Sequence, residues 1–250
     1  MTQPDSKTHI VVGVLSVQGS FREHLDHLNV LFADLNSALE YGQYEFSARK
    51  VKQPEDLDGL SGIILVGGES TTMSLLLQHS GLFEPLARLI QSGKIGVWGT
   101  CAGLILVANE VTNTKTDLGK HKFRVLGGLD VSIERNSFGR QVDSFTQDLS
   151  FKGSGVKSFE CVFIRAPVVS QILSGERRLG AESSVVAEVH QTNNHPVEVL
   201  SEVEKNGKTL IVAVRQGHVL GTSFHPELVH DTRFHKWFVD EFVLKRSIDA

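Results

Sequence analysis

Gly96-Val97-Trp98-Gly99-Thr100-Cys101-Ala102-Gly103-Leu104 reads as a strand, a tight turn and the start of a helix, with a cysteine at the apex. Residues 95–98 are a short apolar run bounded by glycines, and residues 104–108 are apolar enough to continue as a helix. Glycine on both sides of the cysteine lets the backbone take the sharp turn that lifts one side chain clear of a sheet. This is the Gly-x-Ser-x-Gly nucleophile elbow with cysteine in place of serine. Backbone N–H groups at the start of the helix are placed to hold negative charge, including an oxyanion. The alternative is a small buried cysteine in a structural turn.

The chain before this segment alternates strand and helix. Residues 9–17 are almost continuously apolar and rich in valine, as strands buried on both faces of a parallel sheet are. Gln18-Gly19-Ser20 is a turn, and Ser20 with Glu23 reads as a capping box for the next helix. That helix carries Leu25, Leu28, Leu31, Phe32 and Leu35 as a core stripe. Residues 36–43 read as a polar loop insertion, residues 44–50 as a second strand and residues 54–60 as an acidic connector. Residues 61–66 are a third buried strand, running into Gly67-Gly68-Glu69-Ser70-Thr71-Thr72 and a helix from about Met73, with Ser70 or Thr71 as its cap. Two glycines at the carboxyl end of such a strand allow close approach of a ligand, where open parallel sheets bind theirs. A helix over residues 83–91 then leads into the elbow strand.

Beyond Asn109 the texture changes. Residues 112–121 are a polar loop, and residues 125–133, 159–164, 185–189, 197–203, 210–215 and 218–224 read as short strands. Asn206-Gly207 marks a hairpin. Residues 231–245 close the chain as an amphipathic helix with Phe234, Trp237, Phe238, Phe242 and Val243 inward. The prediction is an α/β fold with an open, mostly parallel sheet, helices on both faces, and additional antiparallel strands in the C-terminal half. No repeat or linker divides residues 1–250, so one domain is expected, with residues 1–8 flexible and residues 36–43 and 175–194 as surface insertions.

Composition excludes several classes. A net charge of −4 offers no basic field for nucleic acid. No run approaches the ~18 apolar residues of a membrane span, and residues 1–9 lack the apolar core of a signal peptide. Two cysteines, Cys101 and Cys161, and no targeting signal suggest a reducing, cytoplasmic setting. No metal-ligand spacing appears, and no cofactor is expected.

Gly221-Thr222-Ser223-Phe224-His225-Pro226-Glu227 is the second informative segment. A strand ends at Phe224 with His225 at its tip, and Glu227 follows two residues on. A cysteine nucleophile needs a base to take its proton, and the base needs a third group to fix its tautomer. His225 and Glu227 suit those roles. Solvated or satisfied surface roles suit His24, His27, His79, His121, His190, His195, His230 and His235.

Together, Gly-Thr-Cys-Ala-Gly-Leu and Ser-Phe-His-Pro-Glu resemble the class I, triad-type glutamine amidotransferases, whose sheet is flavodoxin-like. The resemblance narrows at Val14-Leu15-Ser16-Val17-Gln18-Gly19, Arg22-Glu23-His24, Gly67-Gly68-Glu69-Ser70-Thr71-Thr72-Met73, the segment from Glu134-Arg135-Asn136 to Gln141, and Phe163-Ile164-Arg165-Ala166-Pro167. These look like the glutaminase subunits of pyridoxal 5′-phosphate synthase. The resemblance implies that Cys101 attacks the side-chain amide of L-glutamine, that His225 is base and then acid, and that Glu227 orients it. It implies an oxyanion hole near Gly68 and Ala102, and substrate contacts at Gly68, Glu69, Ser70, Arg135, Ile164 and Arg165. It further implies a (β/α)₈ synthase subunit as the partner that receives ammonia, with Gln18 a candidate for coupling docking to activity. The competing readings are a triad glutaminase serving another synthase, a Cys-His peptidase on the same scaffold, and a non-catalytic glutamine-binding regulatory subunit.

Overall fold

The valine-rich run near the start folds as β1 (Thr8–Leu15) in the computed structural model of the chain, which describes residues 7–112, 117–118, 121–135, 144–173, 184–188, 193–205 and 207–245. Thr8 pairs with Tyr44, so of the segment expected to be flexible residue 8 belongs to the sheet, while residues 1–6 lie outside the described residues. β1 is followed by α1 (Phe21–Ser37), β2 (Tyr44–Val51), β3 (Gly62–Leu65), α2 (Ser70–His79), α3 (Phe83–Gln91), β4 (Gly96–Thr100) and α4 (Ala102–Val107). β1 has parallel neighbours on both edges, β2 and β3, and β3 in turn pairs with β4. Interior strands with helices on both faces have no solvent side, which is why β3 and β4 are buried at every residue. β2, at the sheet's edge, instead mixes buried with exposed residues and carries Arg49 and Lys50.

The second half adds β5 (Ala108–Thr112), β6 (Asp117–Leu118), β7 (His121–Lys122), β8 (Leu129–Glu134), β9 (Phe145–Leu149), β10 (Phe159–Phe163), β11 (Val168–Ile172), β12 (Val185–Val186), β13 (Glu198–Lys205), β14 (Lys208–Gln216), β15 (Val219–Thr222) and α5 (Arg233–Phe238). The main sheet runs β12-β5-β8-β11-β14-β15-β4-β3-β1-β2, with β13 also on β14. The side from β15 to β2 is parallel, whereas β14 runs antiparallel to β11, β13 and β15. β9 and β10 form a separate two-stranded ribbon, as do β6 and β7. The fold is therefore the mixed, mostly parallel α/β arrangement expected, with antiparallel strands in its C-terminal half.

Several details differ from the sequence reading. α2 starts at Ser70, three residues early, because Glu69 and not Ser70 or Thr71 caps it, its carboxylate accepting from the N–H groups of Thr71 and Thr72. α4 ends at Val107, and Ala108 already enters β5. The polar loop 112–121 contains β6 and the start of β7, and the strand expected over 125–133 narrows to β8. β9 and β11 were not expected as strands. The loop at 36–43 holds a 3₁₀ turn, Leu39–Tyr41, anchored by Tyr41, whose hydroxyl donates to Asp240 at 2.9 Å. Most of residues 175–194 lies outside the described residues. The closing helix is α-helical to Phe238 and π-helical over Val239–Leu244, and its five predicted inward residues are all buried. Each such side chain contributes roughly 1.5–3 kcal/mol through removal from water.

Candidate active site

Register places the two informative segments side by side. β15 pairs with β4 in parallel, Gly221 opposite Gly99 and Thr222 opposite Thr100. The Cys101 N–H then donates to the Thr222 carbonyl at 2.8 Å, and the His225 N–H donates to the Val162 carbonyl of β10 at 2.8 Å. Cys101 and His225 thus leave the same edge of the sheet, at the carboxyl ends of adjacent strands.

Cys101 has φ 48 and ψ −105, a left-handed conformation strained for any residue but glycine. Such strain persists only where the surroundings over-determine it. Gly103 does so here: a Cβ on it would sit 1.9 Å from the Leu65 carbonyl oxygen. α4 can therefore lie directly on β3 and hold the cysteine at the turn. Gly67 makes a second close approach. A Cβ there would stand 2.5 Å from His225 Cε1 and 3.4 Å from Cys101 Cβ. The glycine pair after β3 leaves room for the site's own imidazole at Gly67 and for the Gln18 carbonyl at Gly68, whose Cβ would meet that oxygen at 2.4 Å.

The Cys101 thiol and the His225 ring line the same cleft and interact there. His225 Nδ1 donates to Glu227 Oε1 at 2.9 Å. Burial disfavours a charged imidazole at His225, but the hydrogen bonds and charges of Cys101 and Glu227 outweigh it and raise its pKa to about 10. Glu227 is buried too, which alone would favour its neutral form. The imidazoles of His24 and His225 reverse that and hold it well below the usual carboxylate range.

Apart from Glu227, every residue expected at the site lines one cleft of about 330 Å³: Gly68, Glu69, Ser70, Cys101, Ala102, Arg135, Ile164, Arg165 and His225, joined by Gln18, Ile105 and Pro167. Glu227 stands behind His225 and lines a separate cleft with His27 and His230. Arg135 reaches across to α2, its Nη2 3.2 Å from Thr71 Oγ1 and 3.4 Å from Glu69 Oε1, with its guanidinium over the Phe123 ring. Burial would raise the Glu69 pKa, yet the N–H and hydroxyl donors at Thr71 and Thr72 lower it below its ordinary value. Gln18 Oε1 accepts from the Glu69 N–H at 2.9 Å, tying the end of β1 to the floor of the cleft. Arg165 takes φ 45, a second left-handed residue at the rim. The remainder of the motif that begins at Glu134 falls in residues 136–143, outside the described residues.

Three residues at or behind the site escaped the sequence reading. Ser20 is not half of a capping box: its hydroxyl makes no cap hydrogen bond and donates to Glu227 Oε1 at 2.5 Å. His24 and His235, assigned to surface roles, are fully buried, and His24 Nε2 lies 3.3 Å from Glu227 Oε2. Cys161 is buried in β10, where desolvation pushes its thiol far up, and both cysteines are free.

The profile of the SNO glutamine amidotransferase family matches residues 14–244. The chain belongs to that family. Among curated relatives, the pyridoxal 5′-phosphate synthase subunit SNO1 of Saccharomyces cerevisiae is 40% identical over 243 residues, covering 95% of each chain. The pyridoxal 5′-phosphate synthase subunit PdxT of an Arthrobacter species is 38% identical over 252 residues, covering 96% of this chain and 97% of that one. A solved crystal structure of a glutamine amidotransferase, 39% identical, superposes with a TM-score of 0.65 over 92% of this chain and 97% of the other. Within the SNO family chain described here, no helix among the described residues is long and apolar enough to cross a membrane.

Proposed function

We propose that this chain is the glutaminase of a pyridoxal 5′-phosphate synthase, hydrolysing L-glutamine to L-glutamate and ammonia. The observation that carries the reading is Cys101 sharing a cleft with His225, whose ring is hydrogen-bonded to Glu227, in a member of a glutamine amidotransferase family.

In this reading the Cys101 sulfur attacks the side-chain amide carbon. With Nδ1 engaged by Glu227, His225 uses Nε2 to take the thiol proton and return it to the departing nitrogen, which leaves as ammonia as the C–N bond breaks. The γ-glutamyl thioester is then attacked by water, whose proton passes through His225 back to sulfur as the C–S bond breaks. The N–H groups of Gly68 and Ala102 hold the oxyanion, each such donor being worth roughly 3 kcal/mol in acyl transfer. Gly68, Glu69, Ser70, Arg135, Ile164 and Arg165 contact the substrate. Free glutamine carries a carboxylate, which guanidinium groups or turn N–H groups receive, and an ammonium, which needs acceptors.

The ammonia passes to a (β/α)₈ synthase subunit; the relatives, named as subunits of pyridoxal 5′-phosphate synthase, support a synthase partner. Residues 1–250 act as one amidotransferase domain, a reading supported by the family match and by the sheet that joins β2 to β12. Two free thiols fit a cytoplasmic setting. The test is glutamate release from L-glutamine with and without the synthase subunit, using Cys101→Ala as the control. Turnover by the wild type that the control lacks supports the reading, and no turnover in either state overturns it.

A further inference from the structure

We propose that His24 is a positioning residue for this reaction, a second imidazole that, backed by His235, holds Glu227 in place as the acceptor for His225. The inference rests on the glutaminase reading for its chemistry, but its geometry stands alone.

Glu227 is hydrogen-bonded through one oxygen and faces an imidazole with the other. Oε1 receives the Ser20 hydroxyl at 2.5 Å and His225 Nδ1 at 2.9 Å. Oε2 faces His24 Nε2 at 3.3 Å, within ion-pair reach, and has no hydrogen-bond partner among the described residues. Behind it, His24 Nδ1 lies 3.0 Å from His235 Nε2. Neither His24 nor His235 has any exposed surface.

Proton counting fixes the direction of this chain. One of the two facing nitrogens of His24 and His235 carries the proton they share. If His235 donates, His24 Nδ1 is the acceptor and its ring proton sits on Nε2, facing Glu227. If a neutral His24 donated instead, its bare Nε2 would oppose a carboxylate oxygen in a dry site, which is costly. A charged His24 also presents an N–H to Oε2. The favoured arrangements therefore put the His24 proton on Nε2, the edge of the ring that faces both Thr100 Oγ1 and the Glu227 carboxylate. Burial, with His24 and His27 close by, holds His235 neutral, and its Nδ1 has no hydrogen-bond partner among the described residues, as suits a bare nitrogen.

Other neighbours share the His24 ring. Thr100 Oγ1 of β4 is the hydrogen-bond partner of Nε2 at 3.4 Å, and the Trp98 ring meets the imidazole edge-on with centroids 5.7 Å apart. His27, one turn along α1, packs against His235 with the rings tilted and their centroids 4.7 Å apart. A histidine serving only to fill space would have no need of this register, because a buried ring in apolar packing is replaced by Phe at little cost. Here its loss takes the facing imidazole away from a buried carboxylate oxygen that has no hydrogen-bond partner among the described residues, and the carboxylate then favours protonation or rotation away from His225.

The experiment compares His24→Gln, His24→Asn and His24→Phe in the full chain docked on its synthase partner. A Gln side chain carries its amide N–H to about the place of imidazole Nε2, whereas Asn reaches only to Nδ1. Phe and Asn are expected to lower kcat by about tenfold or more with KM changed less than about twofold, and Gln to stay within about threefold of wild type. A second measurement follows the His225 ring by NMR titration in the undocked chain, without glutamine. Phe and Asn should bring its midpoint, near 10 in the wild type, down by about one pH unit or more, and Gln should not. Equal kcat and equal His225 midpoints in all three variants, with native melting curves, would show a packing role and overturn the proposal. Should Phe fail to fold, the Gln and Asn pair decides. If the wild type released no glutamate even when docked, the glutaminase reading would fall, while the titration would still decide whether His24 positions the pair.

Discussion

Gly67→Ala separates the fold from the chemistry more cleanly than removing a reacting group. Gly67 is not in a left-handed conformation, so alanine meets no backbone strain there. The added Cβ would, however, lie 2.5 Å from His225 Cε1 and 2.8 Å from Nδ1, where ordinary contacts begin near 3.4 Å. The ring must retreat by about 1 Å, and because a side chain rather than backbone yields, the cost to stability is about 1 kcal/mol. The retreat breaks the registry with Glu227, now 2.9 Å away, and with the cysteine. Misplacement of a reacting group by about 1 Å costs about a hundredfold in rate. Glutamate release at saturating glutamine with the synthase partner present should therefore fall about a hundredfold, with KM within about threefold and a melting temperature within a few degrees of wild type. A Gly67→Ala protein with full kcat would show that the ring's position does not set the rate, and the mechanism drawn here would be wrong.

Glu227→Gln removes the charge that supports the His225 imidazolium, so kcat should drop about a thousandfold or more and the His225 NMR midpoint should fall from about 10. The sign for stability follows from that raised value: the native state's hold on the His225 proton is fully present below the ordinary 6.5 and is lost as pH climbs through about 10, so urea midpoints of the wild type should decline over that window more steeply than those of the variant. His235 works in the opposite sense. Burial depresses it well below 6.5, so stability holds above that pH and is lost below it as the unfolded chain takes up protons, by up to about 1.4 kcal/mol per pH unit from this group. His235→Phe should flatten the fall in urea midpoint between pH 7 and pH 5, and an unchanged fall would assign the acid sensitivity elsewhere. Gln18→Ala removes the acceptor of the Glu69 N–H, and partner-stimulated glutaminase activity should drop severalfold while the melting temperature moves by only a few degrees. Full stimulation would free Gln18 of any coupling role.

The elbow and the His-Pro-Glu tip were legible because each is local: glycines around a cysteine and an acid two residues from a histidine announce themselves within seven positions. The helices of the first half were legible for the same reason, their apolar stripes being set by period alone. Ser20 and His24 were not. Ser20 has a complete local explanation in Glu23, and only the fold reveals that its hydroxyl serves a residue 207 positions away. His24 lies one residue before Leu25 on a helix whose stripe reads as core, and nothing in α1 itself points to Glu227. β9 and β11 were missed because exposed polar residues interrupt them: three of the five positions of each lie toward solvent, which blurs the alternation that marks a strand. Glu69 was passed over as a cap because Ser and Thr follow it at once, and the choice among the three depends on where the turn places each oxygen.

The pairing of β15 with β4 also bears on how the protein is made. β15 is the central filler between β14 and β4, yet it is synthesised more than a hundred residues after β4. Until residue 222 has left the ribosome, β4 has a naked edge with every residue apolar or small, and such an edge invites pairing with other chains. The cysteine is meanwhile a thiol without its base. Nascent or C-terminally shortened chains should thus be both inert and prone to clump, so the enzyme is silent until its last tenth arrives.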